Sequence, residues 1–379
     1  MEPKLKLMEL VAIPVLLALL SLSNKANACP HVPCYFVFGD SLSDNGNNNN
    51  FPTLAKVNYP PYGIDFPQGP TGRFCNGRNM HDFIRLPFSL SQLLGFKDNI
   101  PAFATSRGRN IFNGVNYASG SAGIRNETGS NLGVCIPFNQ QIKNHKTIIS
   151  MITKLMGNYS ATNLLLKQCI YSVQIGSNDY INNYFRPEFY ETSRRFTLSK
   201  YATLLVQQLS LQLKTRYNYG ARKFAVYGIG QIGCTPYAIL MYGTNRPDCV
   251  SKLNKGATLF SNRLKPLIHQ LNNNLTDAKF TYLNPSGGPD LATLGKHPQL
   301  FPFVVLYFDL VRDTSCCTIG GGGGELCLPD SKSCKNSSKY LFWDGVHPTE
   351  ALNKIVANNA YTSESPLDAS PLNIQLAMR

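Results

Sequence analysis

At 379 residues the chain is long enough to bury a large core, as one domain or two. Its formal net charge is +14, but the lysines and arginines are scattered and no run of five or more occurs. That excludes the basic stripe of a groove-following nucleic-acid binder and leaves an acidic extracellular surface, such as a pectin-like wall, or simply a soluble basic exterior.

The N-terminus reads as a targeting segment. Lys4 and Lys6 precede an apolar run over residues 10–22, and Ala26-Asn27-Ala28 gives the small-residue pattern of a cleavage site. About 13 apolar residues do not span a bilayer that needs ~20, and no later stretch is longer. The expectation is a secretory signal peptide over residues 1–28, followed by one exported domain over 29–379 with no integral membrane segment. All eleven cysteines fall at or after position 29, where an oxidising compartment favours disulfides. Cys234 with Cys249, and pairs within residues 316–334, are the local pairings expected. A zinc site in that cluster is disfavoured by its adjacent cysteines and lack of C-x-x-C pairs. Four N-x-S/T sequons, at Asn126, Asn158, Asn274 and Asn336, suit a secreted glycoprotein.

Along the chain, Tyr35-Phe36-Val37-Phe38 followed by Gly39 reads as a buried strand of a parallel sheet. Residues 51–110 carry loop chemistry, with Tyr59-Pro60-Pro61-Tyr62-Gly63 and a helix over 79–94 broken by Pro87. Further strands are expected at 113–118, 170–175, 223–227 and 279–283. Helices are expected at 138–156, 197–217, 253–271 and 349–359. Alternating strands and helices imply a parallel sheet covered on both faces, and neither a repeat nor a linker divides it. The glycine run at 320–324 lacks the Lys-Ser/Thr of a phosphate loop. Gly228-Ile229-Gly230-Gln231-Ile232-Gly233 imitates a dinucleotide fingerprint, but it lies deep in the chain and Pro236 interrupts the place where its helix would begin.

Ser41 follows the first strand, where reacting groups of open α/β sheets gather. A serine hydroxyl needs a base, and His347 is the best candidate, with Asp344 three residues earlier to fix its tautomer. Acyl transfer also needs donors for an oxyanion. Ser41 N–H, Gly120 N–H on a turn and the Asn178 side-chain amide can serve, although Gly120 can equally permit a turn and Asn178 cap a segment. Asp40 and Asp179 read as loop anchors.

Four blocks in order, FVFGDSLSDNGNNN at 36–49, NYASGSAGI at 116–124, IGSNDY at 175–180 and FWDGVHPTE at 342–350, resemble the plant GDSL esterase/lipase family of the SGNH hydrolases. The resemblance implies a three-layer α/β/α, flavodoxin-like fold with a mainly parallel five-stranded sheet. Ser41 is the nucleophile by that pattern, Gly120 and Asn178 oxyanion donors, His347 the base and Asp344 its partner. It implies hydrolysis of lipid, cutin-like, acetylated-polysaccharide or small-molecule esters with no metal or organic cofactor. The departures are an irregular stretch at 79–94 and Thr318 where the family has glycine. Acyl transfer on the same scaffold, or a catalytically silent carbohydrate- or lipid-binding protein, are the alternatives. The intact Ser41, Asp344 and His347 argue against silence.

Overall fold

The computed structural model describes residues 32–85, 98–243, 248–286, 310–320 and 324–377. The expected signal peptide, the stretch 86–94 and the middle of the glycine run lie outside them. In chain order the strands are β1 (Tyr35–Gly39), β2 (Ile170–Gln174), β3 (Lys223–Tyr227), β4 (Lys279–Leu283), β5 (Val311–Ser315), β6 (Tyr340–Phe342) and β7 (Ala369–Ser370). The central sheet has the order β1-β2-β3-β4-β7. Its first four strands are parallel, in the register Phe38 to Val173 and Val226 to Tyr282, and β7 is antiparallel on β4.

The pleat divides the core into two. Phe36 and Phe38 of β1 face one layer, where they meet Phe138, Ile148 and Ile152 of the Phe138–Met156 helix. Leu205, Leu209 and Leu213 of the Leu198–Asn218 helix and Phe260 and Leu264 of the Ser251–Asn274 helix complete that side. Tyr35 and Val37 face the other layer, against Met80 and Phe83 of the Met80–Arg85 helix and Ala357 and Tyr361 of the Glu350–Thr362 helix. The result is the expected three-layer α/β/α sandwich. Helix starts follow capping chemistry: the hydroxyls of Thr197 and Thr349 accept from Lys200 N and Leu352 N, so each threonine caps the helix it was expected to begin.

Several expectations need correction. Residues 113–118 do not form a strand. They touch β1 through one parallel bridge, Val37 with Asn116, held by Val37 N to Val115 O at 3.0 Å and Tyr117 N to Val37 O at 2.8 Å. Gly114 explains the approach, because at φ +109° a Cβ there would lie 2.0 Å from Tyr35 O. The fifth strand of the sheet is instead the two-residue β7, too short to carry a period. The Tyr159–Gln168 helix was not anticipated. Pro236 does not interrupt a helix; it begins the short Pro236–Tyr242 helix at its first turn, where a missing N–H costs nothing. Disulfides join Cys234–Cys249, Cys316–Cys334 and Cys317–Cys327 as the local pairing suggested, and also Cys34–Cys169. The last pair precedes two adjacent strands and is close only because β1 lies beside β2.

Candidate active site

The first three residues after β1 turn sharply. Asp40 O accepts from Ser43 N and Asp44 N, and Asp40 Oδ1 accepts from Leu42 N at 3.1 Å. Ser41 therefore stands at the crest, half-buried, on the wall of a cavity of about 560 Å³. From the far end of the chain, β6 runs into a tight turn. Asp344 Oδ1 accepts from the N–H groups of Val346 at 2.9 Å and His347 at 2.7 Å, which folds the carboxylate back under the imidazole. His347 Nδ1 lies 2.9 Å and 2.8 Å from the two carboxylate oxygens, and its Nε2 lies 2.8 Å from Ser41 Oγ. Residues 306 positions apart thus form one continuous hydrogen-bonded chain. Phe74 covers the imidazole, ring centroids 4.9 Å apart.

Burial of His347 would favour its neutral form. The Asp344 charge and hydrogen bond, with the carboxylates of Glu325 and Asp40, outweigh it and hold its pKa above the ordinary 6.5. Burial pushes Asp40 up to about 7 and Asp179 up to about 6. Asp179 accepts from Ile124 N, Arg125 N and the Thr128 hydroxyl, which ties the segment after residue 120 to the one carrying Asn178. Asn178 lines the cavity. Its Oδ1 accepts from Asn182 Nδ2 at 2.8 Å and one of its two N–H groups reaches Ala122 O at 3.1 Å, which leaves the second for the cavity.

Gly120 is placed differently from the sequence expectation. Its N–H donates to the buried Asp44 carboxylate at 2.9 Å, so that amide is engaged inside the fold. Its carbonyl accepts from Asn48 Nδ2 at 3.1 Å. In a trans peptide the N–H points opposite the carbonyl, so the N–H of Ser121 faces away from Asn48. Ser121 lines the cavity, with the left-handed φ of +63° that the turn from Ser119 to Ala122 requires. Three residues that the sequence reading passed over thus matter here: Ser121, Asp44 and Tyr62, whose hydroxyl donates to Asp344 Oδ2 at 2.6 Å. The only signal for Tyr62 was its aromatic Pro-rich loop.

The four sequon asparagines are all exposed. Among the described residues no cluster of three His, Cys, Asp or Glu can hold a metal, and no helix is long and apolar enough to cross a membrane.

A serine at the end of the first strand of a parallel sheet, hydrogen-bonded to a His-Asp pair on the turn after β6 and set on the wall of an apolar cavity, is the arrangement of a serine hydrolase. The family model of GDSL-like lipases/acylhydrolases matches residues 35–360. The chain is 48% identical to the GDSL esterase/lipase At1g29670 of Arabidopsis thaliana, over 92% of each chain. It is 46% identical to GDSL esterase/lipase At1g29660 of the same plant over the whole of both, and 42% identical to At5g45670 over 96% of this chain and 97% of that one. The chain belongs to the GDSL esterase/lipase family of carboxylic ester hydrolases.

Proposed function

We propose that the protein is a secreted serine esterase that works through a Ser41 acyl-enzyme. The observation that carries this reading is the unbroken chain from Asp344 through His347 to Ser41 Oγ at the wall of the cavity. His347 Nε2 takes the Ser41 proton as Oγ attacks the ester carbonyl, and Asp344 holds the tautomer that leaves Nε2 free. The oxyanion rests on Ser41 N–H, the second N–H of Asn178 and, in place of Gly120, the N–H of Ser121. His347 then protonates the departing alcohol and activates the water that releases the acid. The apolar cavity wall, with Leu42, Ile175, Phe342 and Val356, supports an apolar acyl group. Removal of residues 1–28 and glycosylation at Asn126, Asn158, Asn274 and Asn336 complete the reading, which the four disulfides support.

The test is hydrolysis of p-nitrophenyl acetate, butyrate and palmitate by wild type and Ser41→Ala, with fluorophosphonate labelling of each. Turnover and label should both vanish in Ser41→Ala, and the chain-length profile will rank the acyl groups. Equal activity in the two proteins, with no label on Ser41, would overturn the mechanism. A pH series adds a signed check. The base must be neutral, so kcat/KM should be full above the raised pKa of His347 and fall as pH drops through it, placing the acid limb above about 6.5.

A further inference from the structure

The Asp344 carboxylate is saturated. Oδ1 accepts from two backbone N–H groups, the imidazole spans both oxygens, and Oδ2 also accepts the Tyr62 hydroxyl at 2.6 Å. Tyr62 is itself fixed. It is 1% exposed, packs edge-on against Tyr59, and its oxygen accepts from Cys327 N at 3.0 Å. Cys327 is disulfide-bonded to Cys317, and Cys317 N donates to Trp343 O at 2.9 Å, one residue before Asp344. A closed ring results, from Trp343 and Asp344 through Tyr62 and Cys327 back by Cys317. Glu325, two residues before Cys327, accepts from Gly345 N at 2.8 Å through its carbonyl and pins the same turn from a second point.

We propose that Tyr62 is a positioning residue of this site: its hydroxyl shares Asp344 Oδ2 with the imidazole and so sets how strongly that carboxylate stabilises protonated His347. This rests on the Ser41, His347 and Asp344 roles proposed above. A carboxylate that accepts a strong hydrogen bond from elsewhere is a weaker partner for an imidazolium, because its charge is already partly compensated. Burial and the adjoining Asp344 charge keep the phenol protonated, so it remains a donor. The ionisable groups facing the imidazole are Asp344 on its own turn, Glu325 on the disulfide-held segment and Asp40 on the nucleophile turn. Tyr62 acts on the first of these and leaves the other two unchanged.

The experiment titrates His347 by NMR in the full chain labelled with 13Cε1-histidine, with His347→Gln supplying the assignment among six histidines. Tyr62→Phe removes the donor, so the His347 midpoint should rise by roughly half a unit. Incorporation of 3-fluorotyrosine at position 62 keeps the ring and the hydroxyl but makes a stronger donor, so the midpoint should fall. Midpoints unchanged in both would overturn the proposal. If Tyr62→Phe does not fold, the sign of the fluorotyrosine shift decides alone. In parallel, the acid limb of kcat/KM on p-nitrophenyl butyrate should move up in Tyr62→Phe together with the NMR midpoint, and down with 3-fluorotyrosine. A wild type that hydrolyses no ester would remove the esterase reading, while the NMR titration would still decide the role of Tyr62. A purely structural tyrosine would change the amount of folded protein and leave the midpoint where it was.

Discussion

Asp344→Asn should lower kcat/KM on p-nitrophenyl esters by about 10³–10⁴ while the protein stays folded. The expectation follows from donors and acceptors. Asp344 Oδ1 faces the N–H groups of Val346 and His347, so the amide oxygen of an asparagine would take that side. Its NH₂ would then occupy the place of Oδ2, against His347 Nδ1 and the Tyr62 hydroxyl. An NH₂ there donates to Nδ1 and drives the proton to Nε2, the nitrogen that must receive the Ser41 proton. The tyrosine hydroxyl can rotate to accept, so the stability loss should stay within about 2 kcal/mol. Urea unfolding measures the second quantity and steady-state kinetics the first. Activity within tenfold of wild type would mean that Asp344 does not fix the tautomer.

What was legible in the sequence was whatever a local pattern encodes. The run Tyr35-Phe36-Val37-Phe38 is buried on both faces, so it reads as a continuous apolar strand, and it is one. The Phe138–Met156 helix was legible because its apolar positions recur at helical spacing, and in the structure Gly157 ends it in the left-handed conformation. Asp344 and His347 were legible as a pair because three residues in a tight turn suffice to join them. Ser41 and His347 could be paired only by chemical need, since nothing local joins positions 306 apart; the four ordered blocks strengthened that link.

The Tyr159–Gln168 helix aside, the misses share a physical cause: each depends on a partner remote in sequence. Cys34 and Cys169 are 135 residues apart and meet because β1 and β2 are neighbours. Residues 113–118 have strand-like composition, but with Gly114 wedged on Tyr35 and a turn from Ser119, they form only isolated bridges, from Asn116 to Val37 and to Ala102. Tyr62 lies 282 positions from Asp344, inside a loop whose prolines and aromatics signal only irregular backbone. Gly120 was singled out because a glycine amide is unobstructed. Which side of its peptide faces the cavity is settled by Asp44 and Asn48, and no spacing in the sequence encodes that.

Asp44 therefore carries the second large effect, and Asp44→Asn is the variant that isolates it. The carboxylate is fully buried; Oδ1 accepts from Gly46 N and Asn47 N at 2.8 Å each, and Oδ2 accepts from Gly120 N. An asparagine can keep the first two bonds through its oxygen, but its NH₂ then confronts the Gly120 N–H, donor against donor. That orphans a buried backbone amide, at a cost of about 1–3 kcal/mol. The turn from Ser119 to Ala122 loses its anchor to the nucleophile loop, and the Ser121 N–H loses its aim. At pH 8, well above the value of about 6 to which burial pushes Asp44, the wild-type group is ionised and the comparison is cleanest. There, kcat should fall by about 10- to 100-fold with KM little changed, short of the ~10²–10³ expected when an oxyanion donor is deleted outright. Lost stability with wild-type kcat would show that anchoring Gly120 does not position an oxyanion donor, and would return that role to Ser41 N–H and Asn178 alone.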